Sequence, residues 1–230
     1  MSSRLMVETV AQSLDDLCDR FVFVGGTLLE LLVTDPAVSG FRPTKDVDLV
    51  VEAVTYGAYA AVEQLLSDRG FSHVVGRDAP MFRWRIGGVT VDVMPTNEHI
   101  LGFGSRWYSE IVQAPDTFLL SSGRKIHVAS PAQFLATKLD AFHTRGNGDA
   151  RVSFDMEDII AVLDGRPGID HEVRAATPPI RAFLTEEFSA LDSDLDFQDA
   201  IQGYLSVSPD PVRRREALLG RVAAIIRSPS

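Results

Sequence analysis

The chain has 230 residues, 45% of them apolar and 23% charged, and a formal net charge of −10. That length permits one large domain or two small ones, and the composition is that of a globular chain, which excludes extensive disorder. The acidic excess disfavours uniform adhesion to nucleic acid or anionic membranes, so a polyanionic substrate needs a local basic patch or bound metal ions.

Cys18 is the single cysteine, which excludes an intrachain disulfide. The histidines are scattered and show no Cys/His zinc spacing. The first 17 residues, MSSRLMVETVAQSLDDL, lack the apolar core of a signal peptide. No apolar run approaches the ~18 residues of a membrane span. A cytoplasmic protein with no membrane partner is expected.

In chain order, residues 5 to 19 have apolar positions near helical spacing and predict an amphipathic helix. Residues 21 to 24 predict a short strand that stops on Gly25-Gly26. Thr27 to Val33 predicts a helix ended by Asp35-Pro36. Residues 47 to 51 predict a strand, and Ala58 to Leu66 a helix stopped by Gly70. Met81 to Ile86, Gly87-Gly88 and 89-VTVDVM-94 predict a hairpin from the turn dipeptide. Residues 116 to 120 and 124 to 128 predict another about Ser122-Gly123.

Beyond residue 129 the texture is helical. Ser130-Pro131 is an N-cap followed by proline at the first helical position, and that helix reaches about Phe142. A polar loop, 144-TRGNGDAR-151, precedes a helix capped by Ser153 that reaches about Leu163. Three more helical stretches lie near 178 to 190, 195 to 204 and 210 to 226. The expected fold is α/β: a mixed sheet flanked by helices over residues 1–128, and a helical domain over 129–230.

The segment 45-KDVDLVV-51 carries the strongest chemical signal. Asp46 and Asp48, two apart on a strand, share one face roughly 7 Å apart. They are either acids at a solvated strand edge or ligands of a divalent cation such as Mg²⁺, which takes a few carboxylates plus substrate phosphates. Asp92, in a strand otherwise made of valines, is either solvent-facing or in need of a partner that offsets its desolvation. Beside Asp46 and Asp48 it would complete a three-carboxylate site of the kind that clamps both oxygens in phosphoryl or nucleotidyl transfer. Gly25-Gly26-Thr27 is then either a tight turn or a phosphate seat. Glycines admit close approach, a helix start offers free N–H groups, and Thr27 adds a hydroxyl. Neither a Walker pattern nor G-x-G-x-x-G occurs.

Gly25-Gly26-Thr27, the D-x-D about 20 residues later and a third Asp on a later strand together resemble the DNA polymerase β-like nucleotidyltransferase superfamily. Within it, 41-FRPTKDVDLVV-51, 135-LATKLDAFHTRG-146 and 153-SFDMEDIIAVL-163 look like the AbiEii/AbiGii group, which includes the MenT-type toxins of type IV toxin–antitoxin systems. The likeness spans roughly residues 20 to 163. It implies transfer of a nucleoside monophosphate from an NTP, with pyrophosphate leaving. On that resemblance Asp46, Asp48 and Asp92 hold Mg²⁺ or Mn²⁺, Asp92 also helps deprotonate the acceptor hydroxyl, and Gly25, Gly26 and Thr27 hold the triphosphate. Lys138 and Asp155 take the family's later catalytic positions, with Lys138 also at the nucleotide. It further implies tRNA as acceptor, a cognate antitoxin as partner, and a helical domain that completes the active site. The chain departs from the pattern in having Phe154 where a lysine often precedes the late Asp, Thr27 for serine, and Lys45 before the first Asp.

Read from the residues alone, Lys138 falls inside the apolar stripe of Phe134, Leu135, Leu139 and Phe142. It either snorkels outward or meets an anion. Asp155 sits in the first turn after Ser153, where acids also complement the helix dipole, and Asp158 is a similar case ranked behind it. Basic candidates for an RNA surface are Arg83 and Arg85 on one strand face, Arg145 and Arg151 about the loop, and Arg213, Arg214, Arg215, Arg221 and Arg227 on the last helix. Each set reads more readily as a solvated face, and the last also as a seat for an acidic protein. Two further functions remain open: nucleotidyl transfer to a small molecule, and a non-catalytic nucleotide-binding module of the same fold.

Overall fold

The computed structural model describes residues 1–38, 41–76, 79–145 and 148–227. Gly146 and Asn147 of the predicted loop, and the side chain of Arg145, lie outside the described residues. The chain divides into two compact units: Met1–Glu30 with Arg42–Ser130, and Leu31–Phe41 with Pro131–Ser230. Among the described residues no helix is long and apolar enough to cross a membrane.

The first unit opens with α1 (Ser3–Leu14), capped by the Ser2 hydroxyl, which accepts from the Leu5 N–H. Its stripe of Met6, Val7, Val10, Ala11 and Leu14 is buried. The predicted helix extended to residue 19. The α-helix instead ends at Asp15, whose φ is 52°, and Asp15–Arg20 is a 3₁₀ turn. Arg124 holds this bend, donating to the Asp15 carbonyl at 2.9 Å and to its carboxylate at 3.0 Å.

The chain continues through β1 (Phe21–Val24), α2 (Leu29–Leu32), β2 (Asp46–Val51), α3 (Tyr56–Asp68) and β3 (Ser72–His73). Next come β4 (Arg83–Ile86), β5 (Val89–Pro95), α4 (Tyr108–Gln113), β6 (Asp116–Leu119) and β7 (Lys125–Val128). Among the described residues the sheet has seven strands in the order β3-β4-β5-β2-β1-β7-β6. It is mixed: β2 runs parallel to β5 and β1 parallel to β7, while the other neighbours are antiparallel. Strand alternation sends Val47, Leu49 and Val51 of β2 to one buried face and leaves Asp46 and Asp48 half-buried on the other. The β4–β5 hairpin turns on Gly87 and Gly88, both at positive φ (54° and 79°), as a two-residue turn of this kind requires.

The second unit contains α5 (Pro131–Arg145), α6 (Phe154–Gly165), α7 (Ile169–Ala175), α8 (Pro178–Asp192), α9 (Leu195–Leu205) and α10 (Pro211–Ile226). Ser153 caps α6 by accepting from the Met156 N–H. Helix α7 escaped the sequence reading because seven residues carry too few apolar repeats to show a period. Leu31–Phe41 also belongs here by its contacts. The Gly165 carbonyl accepts from the N–H groups of Thr34 and Asp35, each at 2.9 Å, and so closes the end of α6. A side chain at Gly165 would strike Val33, at 2.5 Å, so glycine is what lets the segment dock.

The predicted basic face of α10 requires correction. Arg214 bonds the buried Asp164 carboxylate at 2.9 Å and Asp35 at 3.2 Å. Arg221 donates to the carbonyls of Leu163 and Asp164 at 2.7 and 2.8 Å, and Arg215 to Gln198 at 2.7 Å. These arginines tie α10 to its own unit, which leaves Arg213 and Arg227 exposed. Arg151 is likewise engaged, with Asp149 and Asp196.

Candidate active site

The register of the first unit's sheet brings the predicted acids together. Asp48 of β2 lies directly beside Asp92 of β5, and Asp46 shares their face two residues away. Continuing outward, Arg83 of β4 is the partner of Asp92, and Val24 of β1 is the partner of Asp48. One row therefore reads Arg83, Asp92, Asp48, Val24, with the Gly25 turn immediately beyond it.

Asp92 is 5% exposed, so its carboxylate needs a partner. Arg83 supplies one. Its Nε donates to Asp92 Oδ1 at 2.8 Å and its Nη2 to Asp92 Oδ2 at 2.7 Å, a bidentate pair. The same Nη2 reaches Asp46 Oδ2 at 3.1 Å. Burial pushes the Asp46 carboxyl above its ordinary value, the Asp92 charge adds to this, and Arg83 opposes it. The Asp92 hydrogen bonds hold the Arg83 guanidinium still further above its ordinary value.

Arg83 was a candidate for a nucleic-acid face with Arg85, or for a solvated one. Arg85 is exposed, but Arg83 is the counter-ion of the acids. The sequence contained the signal. A two-residue turn at Gly87-Gly88 pairs Ile86 with Val89, and counting back from there puts Arg83 opposite Asp92.

The glycine turn meets the row at Asp48. Gly25 has φ +74°, and a Cβ there would lie 1.9 Å from Asp48 Oδ2. The turn is therefore glycine for two reasons, its backbone conformation and the carboxylate packed against it. Gly25→Ala is expected to lower the unfolding free energy by about 1–3 kcal/mol, the cost of a conformation essentially restricted to glycine. Chemical denaturation measures it, and an unchanged midpoint would contradict this account of the turn. The predicted helix after the turn is shorter and split: Gly26–Leu28 is 3₁₀, and α2 adds only four residues. A macrodipole from so short a helix is small. Thr27 is buried, and its hydroxyl faces the Val24 carbonyl at 3.5 Å.

The remaining predicted site residues lie in the second unit. Lys138 of α5 bonds Asp155 at 3.0 Å and Asp158 at 2.5 Å, both on α6. The lysine side chain is 12% exposed and that of Asp158 only 2%. Burial works against the Lys138 charge, but the carboxylates of Asp158 and Asp155 more than offset it and raise its pKa. Lys138 therefore meets an anion within its own unit. Asp158, ranked behind Asp155 from sequence, is the more deeply buried partner.

By donor chemistry, Asp46, Asp48 and Asp92 suit a hard divalent cation: three carboxylates share one sheet face, and Asp48 and Asp92 are adjacent in register. Among the described residues no three such side chains already converge as a metal cage. Here the guanidinium of Arg83 spans Asp92 and Asp46.

Among solved structures, the chain is similar to an antigenic nucleotidyltransferase-like protein from Paracoccidioides brasiliensis. Identity is 22% and the TM-score 0.52, over 94% of this chain and 93% of that one, a likeness of fold. None of the curated proteins is a significant match. Residues 9–220 match the family described as nucleotidyl transferase AbiEii toxin, type IV toxin–antitoxin system, and with nearly its whole length matched the chain belongs to that nucleotidyltransferase family.

Proposed function

We propose that this nucleotidyltransferase transfers a nucleoside monophosphate from an NTP to an acceptor hydroxyl of tRNA, in a reaction that depends on Mg²⁺ or Mn²⁺. The observation that carries the reading is the acid row, with Asp48 beside Asp92, Asp46 on the same face and Gly25 packed against Asp48. A cation held by Asp46, Asp48 and Asp92 would neutralise the triphosphate and the departing pyrophosphate. The bare backbone at Gly25 and Gly26, with Thr27 behind it, lets phosphate oxygens approach. Asp92 takes the proton of the acceptor hydroxyl. The hydroxyl oxygen bonds the α-phosphorus, the α–β bridging bond breaks, and pyrophosphate leaves. Lys138 and Asp155 enter by their correspondence to the family pattern, with Lys138 assigned to the nucleotide. A cognate antitoxin is the protein partner that a type IV toxin family implies.

The test is incubation with each NTP carrying an α-phosphorus label, Mg²⁺ and total RNA. Label in the tRNA band, lost in an Asp46→Ala/Asp48→Ala double variant, is the expected result. No label above that variant would rule out the transfer. One observation favours a second reading, a cationic small-molecule acceptor. The net charge is −10, and Arg214, Arg215 and Arg221 are engaged inside the helical unit. Label on an aminated small molecule and none on RNA would establish it.

A further inference from the structure

Arg83 raises a question that the acid row does not answer. Its guanidinium lies on both oxygens of Asp92 and one of Asp46, two of the three residues proposed above as metal ligands. A cation and a guanidinium cannot both take the same lone pairs at full strength. Arg83 is also not locked in: its side chain is 33% exposed, while that of Asp92 is 8%. The acid is fixed by burial, and the arginine has room to leave.

We propose that Arg83 is a resident counter-ion that a divalent cation displaces from Asp92 and Asp46, and that the freed guanidinium then binds the triphosphate. This rests on the metal-dependent reading. The chemistry follows from charge. Without a cation, three carboxylates on one face need a positive partner, and all three act on Arg83. Once a cation neutralises them, the guanidinium loses its anion, and the phosphates of a bound nucleotide supply a new one. An arginine fork matches phosphate oxygens as well as carboxylate oxygens. Arg83 therefore lowers the affinity for metal alone and raises the affinity for triphosphate in the presence of metal. Metal without nucleotide is disfavoured, and the two load together.

The two effects have opposite signs, which a merely structural role would not produce. Mn²⁺ binding by calorimetry or electron paramagnetic resonance is compared among wild type, Arg83→Gln and Arg83→Lys. If the open arrangement is about a tenth populated in wild type, Arg83→Gln binds Mn²⁺ about tenfold more tightly. With Mn²⁺ saturating, Arg83→Gln binds inorganic triphosphate more weakly than wild type. Arg83→Lys, which keeps the charge and loses the fork, falls between on both and guards against a misfolded Gln variant. The inference is overturned if neither variant binds Mn²⁺ more tightly, or if both bind triphosphate as well as wild type. If no protein binds Mn²⁺ and label transfer persists in EDTA, the metal-dependent reading fails and takes this inference with it. Tight, equal Mn²⁺ binding by all three overturns the inference and leaves that reading standing.

Discussion

Asp48→Asn is expected to reduce nucleotidyl transfer by at least about a thousandfold, the effect of removing several kcal/mol of charge stabilisation from the transition state. The same substitution should leave the fold intact and raise its thermal midpoint slightly. The two expectations have one cause. Asp48 and Asp92 are register partners on parallel strands, so their carboxylates are near neighbours of like charge. Arg83 hydrogen-bonds Asp92 and Asp46, and the Asp48 charge acts on it as well. Asparagine keeps the shape that fits against Gly25 and removes the charge. A residue retained for stability would show the opposite, a lower midpoint with activity preserved. The measurements are label transfer and a thermal melt on one preparation. Activity within tenfold of wild type would mean that the acid row is not the site.

Lys138→Met should destabilise the helical unit by about 3–5 kcal/mol, the cost of leaving a buried charge without its partner. Methionine fills the same volume, so packing is not the cause. What remains is Asp158, fully buried, and Asp155, half-buried, with no cation between them. Adding Asp158→Asn to Lys138→Met should recover a substantial part of the loss, and a double-mutant cycle in chemical denaturation measures how much. If the double variant is no more stable than Lys138→Met, the pairing is not what holds α5 to α6. The pH dependence has a defined sign. The Lys138 pKa is raised on folding, so its contribution is complete below the pKa of an unfolded lysine. It is lost only as the pH rises through the folded value, so no change is expected across neutrality.

Much of the first unit was legible because its signals are local. Gly87-Gly88 between alternating segments predicted the β4–β5 hairpin, and the turn length even specifies that Arg83 faces Asp92. The alternation in 45-KDVDLVV-51 put Asp46 and Asp48 on one face. In the second unit, Ser153 and Pro131 marked the starts of α6 and α5 in the same local way. The Gly25 turn was legible as a turn, with its reason for being glycine hidden, since that reason is Asp48, 23 positions later in the chain.

Other features were decided by which surfaces meet. Val33 to Asp35 read as the end of a helix and its closing turn, yet they are seated on the end of α6 because Gly165 has no side chain to exclude Val33. The arginines of α10 read as a basic face, and their partners Asp35, Asp164 and Gln198 come from three separate stretches of the chain. Lys138 could have met water, a phosphate or a carboxylate, and its stripe position gave no choice between Asp155 and Asp158. The sequence by itself determined the strand faces, the turns, the caps and the order of the acidic residues, because these depend on residues a few positions apart. Only the tertiary structure decided which charge neutralises which, because a long side chain pairs with whatever opposite charge folding brings within about 4 Å, and sequence separation says little about that distance.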